Sequence, residues 1–217
     1  MVKRTNQRTK MDMIVEALRE AVLTGEFNSG ERLLQDELAE RFNTSSTPIR
    51  EALRQLQAEG ILEHSPYRGV QVAEVKMEDV REIYMVRAVM ESFVTRLAVP
   101  YLNSARVAQM RELQAQMREI VKSGQVKGLR KVNYEFHSLI YEAASLPYSL
   151  KIIKNLWAQS PWDALYVLPG RAEKSLDEHD RIIEAIAEQN PTAAALRVQE
   201  HIDNAAAALA DYINQRS

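Results

Sequence analysis

Four histidines, an absence of cysteine and one hydroxyl- and arginine-rich stretch define what chemistry this 217-residue chain can carry out. His137, His179 and His201 fall on three different predicted helices, and an imidazole there can ligate a metal or move a proton. Spacing alone favours the bland alternative, in which scattered histidines are hydrogen-bonded core or surface groups. One local clue stands out: Asn133 and His137 are four apart and share a helical face. His64 lies on a predicted hairpin and reads as incidental. A second cluster surrounds Pro48. Arg50 and Arg54, also four apart, form with Gln57 one donor-rich helical face. Thr44, Ser45, Ser46 and Thr47 crowd the start of that helix, where hydroxyls and backbone amides suit phosphate oxygens and Arg50 can reach a guanine edge. Arg68 and Gly69, at the hairpin tip, can meet a phosphate backbone or minor groove. Against this stands the reading of exposed arginines as ordinary solvated charges.

Composition narrows the classes. Without cysteine there is no disulfide framework, thiolate metal site or cysteine nucleophile, which is compatible with a reducing, cytoplasmic setting. Apolar residues at 46% and charged residues at 27% suit a globular chain with a real core. No stretch approaches the ~20 apolar residues of a membrane span, so no membrane partner is expected. The 28 basic against 30 acidic side chains give a net charge of −2, and the first 76 residues alone hold 11 and 12. Net charge therefore argues for no nucleic-acid partner, and any such case rests on placement. The one asymmetry is Lys3, Arg4, Arg8 and Lys10, with no acid before Asp12: a solvated end, or an arm that touches phosphates.

Helical spacing of Ile14, Ala17, Leu18, Ala21 and Val22 predicts a first helix, stopped by Gly25. Leu34, Leu38 and Phe42 line a short second one. Pro48, preceded by Thr47 as a cap, starts a third, whose apolar positions are Ile49, Ala52, Leu53 and Leu56. Residues 61–64 and 70–75 read as a small hairpin. Three short helices and a two-stranded ribbon outline a winged helix-turn-helix over residues 1–76, with a generic helical cap as the alternative. Residues 77–217 read as an antiparallel all-α bundle of six segments, 77–99, 103–122, 127–145, 149–168, 172–189 and 192–213, punctuated by proline and glycine. The fold class is mainly α.

The run Phe27-Asn28-Ser29-Gly30-Glu31-Arg32-Leu33, Glu37-Leu38-Ala39-Glu40 and Ser45-Ser46-Thr47-Pro48-Ile49-Arg50-Glu51-Ala52-Leu53 resembles the DNA-binding domain of the GntR family of bacterial transcription regulators. The C-terminal remainder of the chain resembles the FCD effector domain of the FadR-like branch, and its six segments resemble the VanR-type variant. The resemblance implies double-stranded operator DNA as partner, with Ser45, Thr47 and Arg50 on the contacting face and Gly69 at the wing tip. Ser46 and Asp36 stand where members usually carry arginine, which implies a different operator.

The resemblance also sharpens the histidines. Asn133-Tyr134-Glu135-Phe136-His137, Glu178-His179 and Glu200-His201 are similar to the strings that supply the metal site of metal-binding FCD domains. Three imidazoles plus Asn133 would hold a divalent ion, zinc first, with nickel or manganese as alternatives. Asn133 replaces the family's usual aspartate, which implies looser metal and a stronger pull on an anion. Arg87 matches the family's pocket arginine, to clamp an effector carboxylate or, equally, to form a salt bridge inside the bundle. Tyr134 is a candidate pocket wall, as are Tyr141, Trp157 and Trp162. The implied function is a homodimeric transcription regulator, a repressor, responding to a small organic acid. The rival from another class is a metal-dependent hydrolase or isomerase using the same histidines, with Glu135 or Glu178 as general base. A third reading makes the bundle a dimerisation module that binds nothing.

Overall fold

Thr9 opens the first element with a capping box: its hydroxyl accepts from the Asp12 amide at 3.1 Å while the Asp12 carboxylate takes the Thr9 amide at 2.9 Å. The computed structural model describes residues 9–75, 77–124, 128–166 and 168–214. Lys3, Arg4 and Arg8 thus lie outside the described residues. The chain divides into two compact units, Met1–Glu74 and Val75–Ser217.

In the first unit, α1 (Lys10–Leu23) packs on α3 (Ser46–Ala58), with α2 (Gln35–Arg41) against α3. The core includes Ile14, Leu18, Val22, Ile49, Ala52, Leu53 and Leu56, from the apolar sets expected of the first and third helices. Of the set expected for the second only Leu38 is buried, Leu34 being its N-cap and 37% exposed. The start of α3 is corrected: Ser45 is the N-cap and Ser46 the first helical residue, so Pro48 sits within the first turn. An amide there has no intrahelical partner, so its loss to proline costs nothing. Strands β1 (Leu62–Ser65) and β2 (Gly69–Val72) pair antiparallel, Leu62 opposite Val72 and Ser65 opposite Gly69. The segment before α2 adds a third, short rung. The Leu33 amide donates to the Val70 carbonyl at 2.9 Å and the Val72 amide to that of Glu31 at 2.9 Å. Periodicity could not reveal a rung this short.

In the second unit α4 (Met77–Ala98) lies along α10 (Pro191–Asn214), and α10 also packs on α9 (Arg171–Ala187). Helix α5 (Ser104–Lys122) sits on α6 (Leu129–Ala143) and α9, while α6 and α7 (Pro147–Ala158) close on α4. The expected six-helix bundle is corrected here. The segment read as one helix over 149–168 breaks at Ser160-Pro161 into α7 and the five-residue α8 (Trp162–Tyr166), which gives seven α-helices among the described residues of this unit. Proline removes an amide and clashes with the preceding turn, whereas the apolar pattern runs through the break and hides it. The break places Trp162 beside Trp157, ring centroids 6.3 Å apart, with the Trp162 indole donating to the Trp157 carbonyl at 2.7 Å. Among the described residues no helix is long and apolar enough to cross a membrane.

Candidate metal centre and DNA-reading face

Helices α6, α9 and α10 each contribute one histidine to a single buried point. His137, His179 and His201 are 3%, 1% and 8% exposed, and their candidate ligand atoms all lie within 4.8 Å of one another. The ring centroids are 5.1 Å apart for His137 and His179, 4.8 Å for His179 and His201, and 5.3 Å for His137 and His201. Spacing in sequence gave no sign of this convergence; helix packing creates it.

Each ring is set by its neighbours. The Nδ1 of His201 meets Glu178 Oε2 at 2.7 Å. A carboxylate only accepts, so Nδ1 bears the proton and Nε2 keeps its lone pair, the arrangement typical of a ligating histidine. Tyr141 donates its hydroxyl to Glu91 Oε2 at 2.7 Å and lies 3.4 Å from His137 Nδ1, so that nitrogen is the donor in the contact. His179 stacks on Phe136, centroids 4.5 Å apart, and both its ring nitrogens are buried with no hydrogen-bond partner among the described residues. Burial holds His137 and His179 well below the usual imidazole range, with the charges of the neighbouring histidines adding to it. Burial also lowers His201, against the pull of Glu178. Three neutral imidazoles with an orphaned nitrogen pair fit a divalent ion: polar atoms so buried are rarely left unmatched.

Beside the histidines is a pocket enclosing about 400 Å³ of empty space, part of it open to solvent, whose wall includes Tyr84, Arg87, Asn133, Trp162, Arg171 and His201. Arg87 forms the salt bridge expected of it inside the bundle and also lines the pocket. It pairs with Glu91 through Nε at 2.8 Å, donates through Nη1 to Ser160 Oγ at 3.2 Å, and still faces the pocket, its guanidinium 4.6 Å from the Tyr84 ring centre and 4.9 Å from that of Trp162. Glu91, fully buried, also accepts from the Trp157 indole at 2.8 Å. A hydrogen-bonded path therefore runs from Arg87 through Glu91 and Tyr141 to His137. Tyr134 is not brought to the pocket wall; it packs edge-on against Trp157, centroids 5.6 Å apart. Tyr141 and Trp157 lie in the core behind the wall.

Sequence reasoning missed Arg171. It is 7% exposed, lines the pocket and pairs with Glu178 Oε2 through Nη2 at 2.8 Å. Its signal was present, since Arg171 and Glu178 are seven apart and so lie on one face of α9. Glu178 is saturated, accepting also from Asn204 at 2.9 Å, and His201 and Arg171 outweigh burial to hold its carboxyl below the usual range. A group so engaged makes no general base. Glu135, the other candidate base, faces Lys131 at 3.9 Å near the surface.

In the first unit the buried side of α3 turns Ser45, Ser46, Thr47, Arg50 and Arg54 outward, all exposed. Among the described residues neither Arg50 nor Arg54 has an ion-pair or hydrogen-bond partner, so both guanidiniums are uncommitted. Arg68 is exposed beside Gly69, whose φ of 76° lies in the left-handed region that turns the hairpin tip. Lys10 is committed instead: its Nζ donates to the Asn43 carbonyl at 2.9 Å, closing the turn that leads into α3.

Comparison with known proteins agrees with both units. Residues 82–204 match the FCD domain and residues 10–72 match the bacterial regulatory proteins of the gntR family. The chain belongs to the GntR family, in its FCD-bearing, FadR-like branch. It is 28% identical to the HTH-type transcriptional regulator McbR of Escherichia coli K12, over 75% of this chain and 73% of that one. It is 29% identical to the HTH-type transcriptional repressor RspR of the same organism, over 59% and 57%. The solved structure of E. coli McbR/YncC superposes with a TM-score of 0.81 at 24% identity, covering 95% of this chain and all of that one, which shows the fold. This GntR-family member is a DNA-binding transcription regulator and not an enzyme, and the hydrolase or isomerase alternative finds no support.

Proposed function

We propose that the protein is a cytoplasmic repressor whose hold on operator DNA is set by a small carboxylate bound beside a divalent ion. The observation that carries this reading is His179, with both ring nitrogens buried and unmatched at the point where His137 and His201 converge, next to a pocket walled by two buried arginines. His137, His179 and His201 would hold the ion, zinc first and nickel or manganese otherwise, with Asn133 as the fourth protein ligand. Such an ion supplies Lewis-acid positions for an anionic oxygen. The protein's own side chains do the rest: Glu178 and Tyr141 orient the rings, and Arg87 offers its guanidinium to the carboxylate across the pocket. That RspR carries the name of a repressor supports the sign of the response.

On the DNA side, Ser45, Ser46 and Thr47 would meet phosphates at the start of α3, Arg50 and Arg54 the base edges, and Arg68 and Gly69 the backbone beside the groove. The functional unit is a homodimer. Helix α4 has a second apolar face, Met85, Val89, Phe93 and Leu97 at every fourth position, all exposed, in addition to the face it buries in the bundle. A second copy covering this stripe would pair two reading heads for a two-fold operator.

Selection of bound sequences from a random duplex pool, at stated salt and with or without candidate acids, tests the proposal. The expected outcome is a two-fold motif whose enrichment falls with one class of acid and is abolished by Arg50→Ala. Failure to enrich any motif would refute it.

A further inference from the structure

Arg171 is only half used by the protein. Nη2 serves Glu178 and, at 3.4 Å, the His201 carbonyl, whereas Nη1 is buried without a partner among the described residues, in a residue that lines the pocket. A guanidinium more than nine-tenths buried with an idle amino group is an unmatched donor unless a ligand oxygen meets it. Charge balance in the wall points the same way. Arg87 is matched by Glu91 and Arg171 by Glu178, and no acidic side chain is among the described residues lining the pocket. Asn133, on that wall, contributes an amide and no charge. A divalent ion held by the histidines would bring two positive charges that no described group in the wall offsets, and uncompensated charge is costly at such depth.

We infer that the ligand of this pocket carries two acidic groups, one lying toward the histidine cluster and Arg87, the other taken by Arg171 Nη1, and that Arg171 sets the preference for such a ligand over a monoacid. This rests on the proposed reading of the pocket as the effector site.

Calorimetric titration of zinc-loaded, full-length protein tests it with probes matched in chain length: butyrate against succinate, pentanoate against glutarate. At least one diacid should bind about tenfold or more tightly than its monoacid partner, the worth of one added charge-assisted hydrogen bond. Arg171→Gln, measured on the zinc-loaded variant so that each diacid is read against its own monoacid on the same protein, should bring that ratio close to one. Arg171→Lys keeps a cation for Glu178 without the second planar amino group; it should lose most of the preference too, and it decides the matter if the glutamine variant does not fold. Equal binding of both partners, or a preference that survives in these variants, overturns the inference and leaves the organic-acid reading standing. No binding of any of the four probes overturns both.

Discussion

Glu178 holds His201 by Nδ1 at 2.7 Å, a carboxylate gripping an imidazole that lies against two more, His137 and His179. The grip fixes both tautomer and ring orientation, and Arg171 and Asn204 in turn hold the carboxylate. Glu178→Gln can still accept a hydrogen bond, but it loses the charge that makes the ring a good donor of its lone pair. We expect zinc affinity to fall by about 10- to 100-fold with the helical content unchanged. Competition against a calibrated chelator measures it, and an unaltered affinity would show that the carboxylate serves structure alone.

Glu91 is the corresponding keystone in the core, with Arg87, Trp157 and Tyr141 all donating to one buried carboxylate. Glu91→Gln preserves the shape and leaves Arg87 as a buried cation without its counter-charge. The expected cost is about 3 to 5 kcal/mol of folding stability. Urea denaturation followed by indole fluorescence reads it, and a change below about 0.5 kcal/mol, the scale of a surface substitution, would contradict the argument.

Acid should weaken the metal-free protein. Burial lowers His137, His179 and His201, so the unfolded chain takes up protons first as the pH falls. Stability is therefore level while the rings are neutral in both states and declines once the pH passes below about 6.5, the ordinary imidazole value. Glu178, held below its usual range, adds a separate loss only near the ordinary carboxylate value of about 4.3. Melting temperatures recorded from about pH 8 to pH 5 should show the first decline, and His179→Phe, which suits the stack on Phe136, should shallow it. A flat profile in the wild type would refute the assignment.

Much of this was legible in the residues, and the misses have physical causes. The helices around Leu18, Leu53 and Ile182 announce themselves because one face repeats at the helical period and is buried. The break at Pro161 was masked by apolar residues continuing on both sides. The third rung at Leu33 is too short to leave a period-two pattern. Local spacing offered only Asn133 with His137, since His179 and His201 reach the same point through packing of α6, α9 and α10, and the resemblance rather than periodicity grouped them. Arg171 escaped because a lone arginine at a helix start looks solvated, and its seven-residue spacing to Glu178 acquires meaning only with the burial of both.

The exposed stripe on α4 gives a prediction about assembly. Val89 and Phe93 are 67% and 52% exposed, one turn apart, in a helix whose other face is already buried. Phe93→Asp should turn a dimer into a monomer in sedimentation, leave the circular dichroism unchanged, and weaken binding to a two-fold duplex far more than to a half-site. A variant that still sediments as the wild type would place the contact elsewhere.

Arg50 and Arg68 should separate cleanly on DNA, because a base contact and a phosphate contact respond differently to salt. Arg50 stands on the exposed face of α3, where a guanidinium can grip a guanine edge with two hydrogen bonds. Arg50→Ala should cost about tenfold or more against the preferred duplex and much less against unrelated sequence, which erodes discrimination. Arg68 is exposed at the hairpin tip, suited to a phosphate oxygen. Arg68→Ala should weaken both duplexes alike and reduce the slope of log affinity against log salt by about one, the signature of one fewer counterion released. Fluorescence anisotropy across a salt series reads both quantities. If Arg68→Ala changed the preferred sequence while Arg50→Ala changed only the slope, the reading face would lie on the hairpin and not on α3.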